Sequence, residues 1–227
     1  MCDYLNKRNT QGVNSNQFFG IWEEADAFRA TLGQMINCQP AEIVYGQSST
    51  ALFNIFANGI SLQPGDNVVT TDEVYHADAY VFLNLAHKGV QVRFAKTTAM
   101  GITPEELLSH ADDRTKAVVV CMVENRSGFR HDMVRIGQLC RQRGILFAAD
   151  ATQCTNAFPI DVKAMQIDFL TTSLYKWMMG DQGHAFGYIS RELLPNLAQS
   201  VCGWVGTQDR WQNVATSLQL SRDAKRF

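Results

Sequence analysis

No stretch of this 227-residue chain reaches the roughly 18 consecutive apolar residues that a membrane-crossing helix needs, and "MCDYLNKRNTQG" lacks the apolar centre of a secretory signal. Charge of one sign is also missing: Lys+Arg number 20 and Asp+Glu 22, which leaves no electrostatic footprint for nucleic acid or an anionic membrane. Partners of neither kind are therefore expected. The cysteines (Cys2, Cys38, Cys121, Cys140, Cys154, Cys202) form no CxxC pair, and Cys121 lies in an apolar strand-like run, as buried thiols of a reducing compartment do. A cytoplasmic protein with no metal site is expected. Neither GxGxxG after the first strand nor GxxxxGK occurs, which counts against a nucleotide-binding domain. There are no internal repeats or low-complexity segments to suggest a solenoid or linker.

What the chain does contain is alternation. The runs 42–46, 67–71, 90–94, 116–123, 145–150, 168–173 and 185–190 are short, rich in β-branched or aromatic residues, and bounded by turn signals. Between them "STALFNIFANGI", "HADAYVFLNLAHKG", "TPEELLSHA" and "MVRIGQLCRQRG" have helical spacing, several closing on a glycine suited to a C-terminal cap. Strand and helix in series predict an α/β fold of three layers, a mostly parallel seven-stranded sheet with helices on both faces. At this length one large domain or two small ones can bury a substantial core.

In such sheets ligands gather beyond the carboxyl ends of the strands, where loops and helix N-termini converge. The residues there are chemically rich: Ser48, Ser49 and Thr50 after the first strand; Tyr75 and His76 after the second; Glu124 and Asn125 after "KAVVVCMV"; Asp150 and Gln153 after "ILFAA"; Ser173, Tyr175 and Lys176 after "DFLTT". Each also has a plainer reading. "GQSST" at a strand-to-helix junction suits a phosphate, yet it also suits an ordinary helix cap. Asp150 can brace its own turn, Asn125 can be a turn residue ahead of "SG", and Tyr75 can be rim packing. Lys176, set among Tyr175, Trp177, Met178 and Met179, is either a reactive amine or a side chain whose stem covers apolar surface.

Order and spacing favour the chemical readings. The run "GILFAADATQCTNAFPIDVKAMQIDFLTTSLYKWMMGDQGHAFGYIS", with "VENRSG" and "GQSSTALFNIF" upstream, resembles the lysine-bearing core of the class V aminotransferase family. These are fold type I pyridoxal-phosphate enzymes, a group that includes cysteine desulfurases, selenocysteine lyases and isopenicillin N epimerase-like proteins. The resemblance implies pyridoxal 5'-phosphate as cofactor, an amino acid as substrate, and transamination or C–S and β-elimination lyase chemistry. It gives Lys176 the Schiff base and the Cα proton, and Asp150 the pyridine nitrogen. Gln153 and Asn125 fall to the phenolic oxygen, Ser49, Thr50 and Ser173 to the phosphate, and Tyr75, or else His76, to the ring face.

Tyr175 stands where the desulfurases commonly carry a phosphate-contacting histidine, and "GDQGHAFG" replaces a GPxG-like turn, adding Asp181 and His184 beside the site. The resemblance also implies a helical segment over 1–41, a cofactor-binding large domain over 42–206, and a truncated start of a further segment over 207–227. The small C-terminal domain that supplies a substrate-binding arginine in relatives is expected to be missing. "SVCGWVGTQD" is similar to a loop that reaches the neighbouring subunit, which implies a homodimer with shared active sites and makes Thr207 a phosphate contact in trans. Beyond Lys176 the sequence has only Cys202 as a thiol, so no desulfurase nucleophile is evident. A cofactor-binding pseudoenzyme module is the alternative to a working enzyme.

Overall fold

In the computed structural model, which describes residues 2–12, 15–208 and 216–227, the expected strands all form one sheet. They are β1 (Ile43–Gly46), β2 (Asn67–Thr71), β3 (Gln91–Ala95), β4 (Thr115–Cys121), β5 (Leu146–Asp150), β6 (Phe169–Ser173) and β7 (Ala185–Ile189), in the spatial order β1-β7-β6-β5-β4-β2-β3. β7 is antiparallel to both its neighbours and the remaining pairs are parallel. The helices are α1 (Cys2–Gln11), α2 (Ser15–Ile36), α3 (Ser49–Gly59), α4 (His76–Leu83), α5 (Pro104–Leu108) and α6 (Met133–Arg143).

The strands are apolar on both faces because both faces are covered. On one face α2, α5 and α6 pack Leu32, Ile36, Leu107, Leu108, Ile136 and Leu139 against Val118, Val120, Phe147, Ala149 and Leu170. On the other, α3 and α4 pack Leu52, Phe53, Phe56 and Phe82 against the alternate strand residues, Ala117, Val119, Ala148 and Phe169. There the Phe56 and Phe169 rings stack at 4.8 Å between centroids, a pairing worth about 1 kcal/mol beyond the area it buries. α6 can lie this close to the chain before β6 only because residue 137 is glycine: a Cβ there would meet the Met165 carbonyl oxygen at 2.0 Å. The same helix stops at Gly144, whose φ of 64° an L side chain rarely adopts.

Sheet order explains where a site can form. From β2 to β3 the chain moves outward in one direction through α4, and from β4 through β5 to β6 it moves in the other, with α6 on the opposite face. Right-handed crossovers require the helices to change face when the direction of travel reverses. The reversal falls between the neighbouring strands β2 and β4, so the loops after them diverge and leave a crevice at their carboxyl ends. The described part of 207–227 folds back on the domain: Thr207 bridges Leu220, Ala224 is buried, and Arg226 donates to the Leu194 and Leu197 carbonyls. No described helix is long and apolar enough to cross a membrane.

Candidate active site

A knot of hydroxyls ties α3 to the ends of β5 and β6. Ser48 caps α3, its Oγ accepting from the Ala51 N–H at 3.1 Å, which places Ser49 and Thr50 in the first turn. Ser49 Oγ shares a 2.8 Å hydrogen bond with Ser173 Oγ and a 3.0 Å bond with Thr152 Oγ1, and the Ser49 N–H donates to Ser173 Oγ at 3.2 Å. The Ser173 N–H in turn donates to Thr152 Oγ1 at 3.0 Å. All three residues are buried. The half-buried Thr50 follows in the same turn, where N–H groups have no intrahelical acceptor and the helix dipole favours an anion. Hydroxyls that rotate and N–H groups that converge at a helix start suit a phosphate.

Beside this knot lies a buried carboxylate. Asp150 ends β5, and its Oδ1 accepts from the Thr152 N–H at 2.6 Å. The turn-bracing role open to an aspartate after a strand is thus realised on one oxygen. Burial pushes its proton affinity up, opposed by the Thr152 bonds, by the charge of Lys176 and by the neighbouring Asp78. Lys176, half-buried in the 174–184 loop between β6 and β7, holds its Nζ 5.9 Å from the Tyr75 ring centre and 5.8 Å from that of Tyr175. Tyrosine faces therefore surround the amine, while Trp177 and Met179, its apolar neighbours in sequence, are exposed.

Tyr75 is half-buried, with its ring 4.4 Å from that of the exposed His76, so the tyrosine lies nearer the cluster. Burial first, then Tyr175, Asp78 and Asp150, push its phenol up, which keeps it protonated. Asn125 is exposed in the turn closed by Gly128 N–H to Glu124 C=O, and Gln153 is half-buried; neither side chain joins the hydroxyl knot. Thr207 donates its hydroxyl to the Trp204 carbonyl at 2.7 Å. Among the described residues no cluster suited to a metal ion is found.

The structure adds two residues that motif reading passes over. Thr152, inside "DATQ", joins Asp150 to the hydroxyl knot through its N–H and Oγ1. Asp78, in the first turn of α4, is buried close to Asp150, with Cys121 Sγ 3.6 Å from its Oδ2. In the sequence it carries no distinguishing signal, reading as an acidic residue at a helix start. Burial first, and then Asp150, hold the Asp78 proton well above the usual carboxyl range.

A pH dependence follows. Unfolded, Asp78 ionises near pH 4. Above that the native state binds the extra proton, so this group's contribution to stability declines as pH rises. Asp78→Asn removes the decline: in urea titrations, variant-minus-parent stability should grow from about pH 4 to 7, and a difference flat with pH contradicts it.

The fold and the sequence agree with known proteins. The chain belongs to the aminotransferase class-V family, whose model matches residues 1–212, and thus to a family of pyridoxal-phosphate-dependent enzymes. A cysteine desulfurase IscS of Shewanella baltica is 33% identical over 174 residues, covering 75% of this chain and 43% of that protein. A probable cysteine desulfurase of Methanothermobacter thermautotrophicus is 29% identical over 176 residues, 77% of this chain and 44% of that one. The chain thus spans under half the length of these relatives. Among solved structures, the apo cysteine desulfurase of Thermococcus onnurineus aligns over 96% of this chain and 54% of its own, with a TM-score of 0.84 and 24% identity. The cystine C-S lyase C-DES, in complex with its reaction product cysteine persulfide, aligns over 99% and 60%, with a TM-score of 0.89 and 19% identity. A C-DES mutant has also been solved with glycine covalently linked to its PLP cofactor.

Proposed function

We propose that this chain carries the cofactor site of a cytoplasmic pyridoxal-phosphate enzyme that cleaves the C–S bond of a sulfur amino acid, cysteine or cystine, by β-elimination. One observation carries the reading: a buried carboxylate, an amine between tyrosine rings and a hydroxyl knot at a helix start share one sheet edge. These groups fit pyridoxal phosphate. The α3 N-terminus with Ser49, Thr50 and Ser173 would hold the phosphate, Asp150 would hold the proton on the pyridine nitrogen, and Tyr75 would cover the ring. Tyr175 would offer the phosphate a phenol, and Gln153 and Asn125 would serve the phenolic oxygen. Bound there, the cofactor supplies an electron sink for the electrons left at the substrate Cα. Lys176 would carry the covalent attachment, and its amine would take the Cα proton.

The relatives' names favour sulfur chemistry, and the C-S lyase among the solved structures favours elimination. Burial pushes Cys140 and Cys154 up to about 12, and Cys121 is also raised, so none is a thiolate at neutral pH. Exposed Tyr80, Trp177 and Met179 on this edge support a second copy closing over the site in a homodimer. The test is product analysis with the full chain. Cystine should give pyruvate, ammonia and cysteine persulfide. Alanine from cysteine would mean transfer to a thiol instead, and cofactor binding without turnover would mark a binding module.

The phosphate assignment has its own test. Ser49→Ala and Ser173→Ala should each weaken cofactor binding by about 1–3 kcal/mol, the range for a hydrogen bond to a charged group. Unchanged affinity in both variants, measured by equilibrium dialysis, removes the hydroxyl knot from the site.

A further inference from the structure

Asp78 has no part in the mechanism above, yet it is only 1% exposed and lies against Cys121, the register partner of Asp150. Three elements hold it there. α4 starts at His76, directly after the Tyr75 loop, and Asp78 sits in its first turn. The Tyr75 N–H donates to Cys121 Sγ at 3.4 Å, and Cys121 Sγ lies 3.6 Å from Asp78 Oδ2, which ties the loop to the end of β4. Cys121 pairs in register with Asp150 on β5. Asp78 thus spans the crevice where the direction of the sheet's winding reverses.

Its bonding is unusual for an aspartate. Oδ1 is sealed from solvent and meets no N–H or O–H donor, and the partner beside the carboxyl is another carboxylate. Two acceptors cannot bond without a proton between them; Asp150 Oδ1 already has the Thr152 N–H while the sealed Asp78 Oδ1 has no donor, so Asp78 is the acid better satisfied by keeping the proton. The groups facing it are Asp150, Glu124 and the Cys121 thiol, with Tyr75 alongside. Glu124 is itself engaged by Thr71 Oγ1 at 2.8 Å and His131 Nε2 at 2.9 Å. The first turn of a helix favours an ionised aspartate by only about 0.3–1 kcal/mol. Burial beside two further carboxyls outweighs that.

Resting on the pyridoxal-phosphate reading, we propose that Asp78 is a positioning residue for Asp150: a neutral acid whose hydrogen bond holds the Asp150 carboxylate ionised and aimed at the pyridine nitrogen. Asp150 Oδ1 is already engaged by the Thr152 N–H, so a second donor restricts the carboxylate's remaining freedom. The donor also favours the charged form of Asp150 against the burial that opposes it. An ionised Asp150 keeps the ring nitrogen protonated.

Infrared difference spectroscopy of the cofactor-free protein at pH 7 tests this directly. The parent should show a protonated carboxyl C=O band that is absent in Asp78→Asn, and a parent lacking that band overturns the proposal. Binding supplies a second arm. Asp78→Ala should lower pyridoxal-phosphate affinity about tenfold, as expected for losing a hydrogen bond to a charged group, while inorganic phosphate, which needs only the hydroxyl knot, binds as in the parent. Asp78→Asn keeps an N–H donor and should restore most of the loss. Equal losses for both ligands, or no rescue by asparagine, would reduce Asp78 to a structural residue. A parent that binds no pyridoxal phosphate overturns the functional reading instead, and the infrared band still decides the state of Asp78.

Discussion

Asp150→Asn should slow exchange of the substrate's Cα proton by several powers of ten while the protein stays folded and still binds its cofactor. Asparagine keeps the Oδ1 that accepts from the Thr152 N–H, so the turn after β5 survives. What disappears is the negative charge. Without it the pyridine nitrogen has no group to hold its proton, and the electrons left at Cα lose their sink. Each power of ten corresponds to about 1.4 kcal/mol of barrier, and a charge pair in a buried, water-poor pocket can supply several such units. The turn-bracing bond at Asp150 is real, so the competing expectation is a less stable protein with no selective loss. Deuterium exchange at Cα separates the two, and a folded, cofactor-loaded Asp150→Asn protein exchanging at the parent rate would exclude the role given to Asp150.

Lys176→Ala carries the other large effect. The amine lies between Tyr75 and Tyr175 and close enough to Asp150 to lower that group's proton affinity. Alanine removes both the covalent attachment and the base for the Cα proton. Loss of general acid–base action alone is worth on the order of 10²- to 10⁴-fold. The hydroxyl knot and Asp150 remain, so pyridoxal phosphate should still bind, more weakly and without the visible absorption band of the lysine adduct. Turnover of cystine by Lys176→Ala within tenfold of the parent contradicts the assignment.

Much of this architecture is legible in the sequence. Runs such as "KAVVVCMV" and "ILFAAD" are apolar throughout because both faces of β4 and β5 are buried, and the observed strand ends fall within a few residues of those expected. Helix limits are less legible. "TPEELLSHA" has helical spacing, yet α5 spans only Pro104–Leu108: Thr103 and Glu106 form a capping box at its start, and Ser109 Oγ donates to the Glu106 carbonyl at its end. Nothing in the β7 pattern reports its reversed direction, since side-chain period is the same in parallel and antiparallel strands. Ser49, Ser173 and Asp150 can be found as polar residues directly after apolar strands. Asp78 cannot, because an aspartate in a helix's first turn reads as an ordinary favourable end charge and only the fold reveals its burial. Thr152 is hidden by its more conspicuous neighbours in "DATQ".

The central claim is that Lys176 holds pyridoxal phosphate at this sheet edge. Borohydride reduction of the pyridoxal-phosphate-treated chain, followed by peptide mapping with mass spectrometry, reads the attachment directly. The account predicts a stable phosphopyridoxyl group on Lys176, blocked in Lys176→Ala. A label on another lysine, or an unlabelled Lys176 in a folded parent protein, would contradict it.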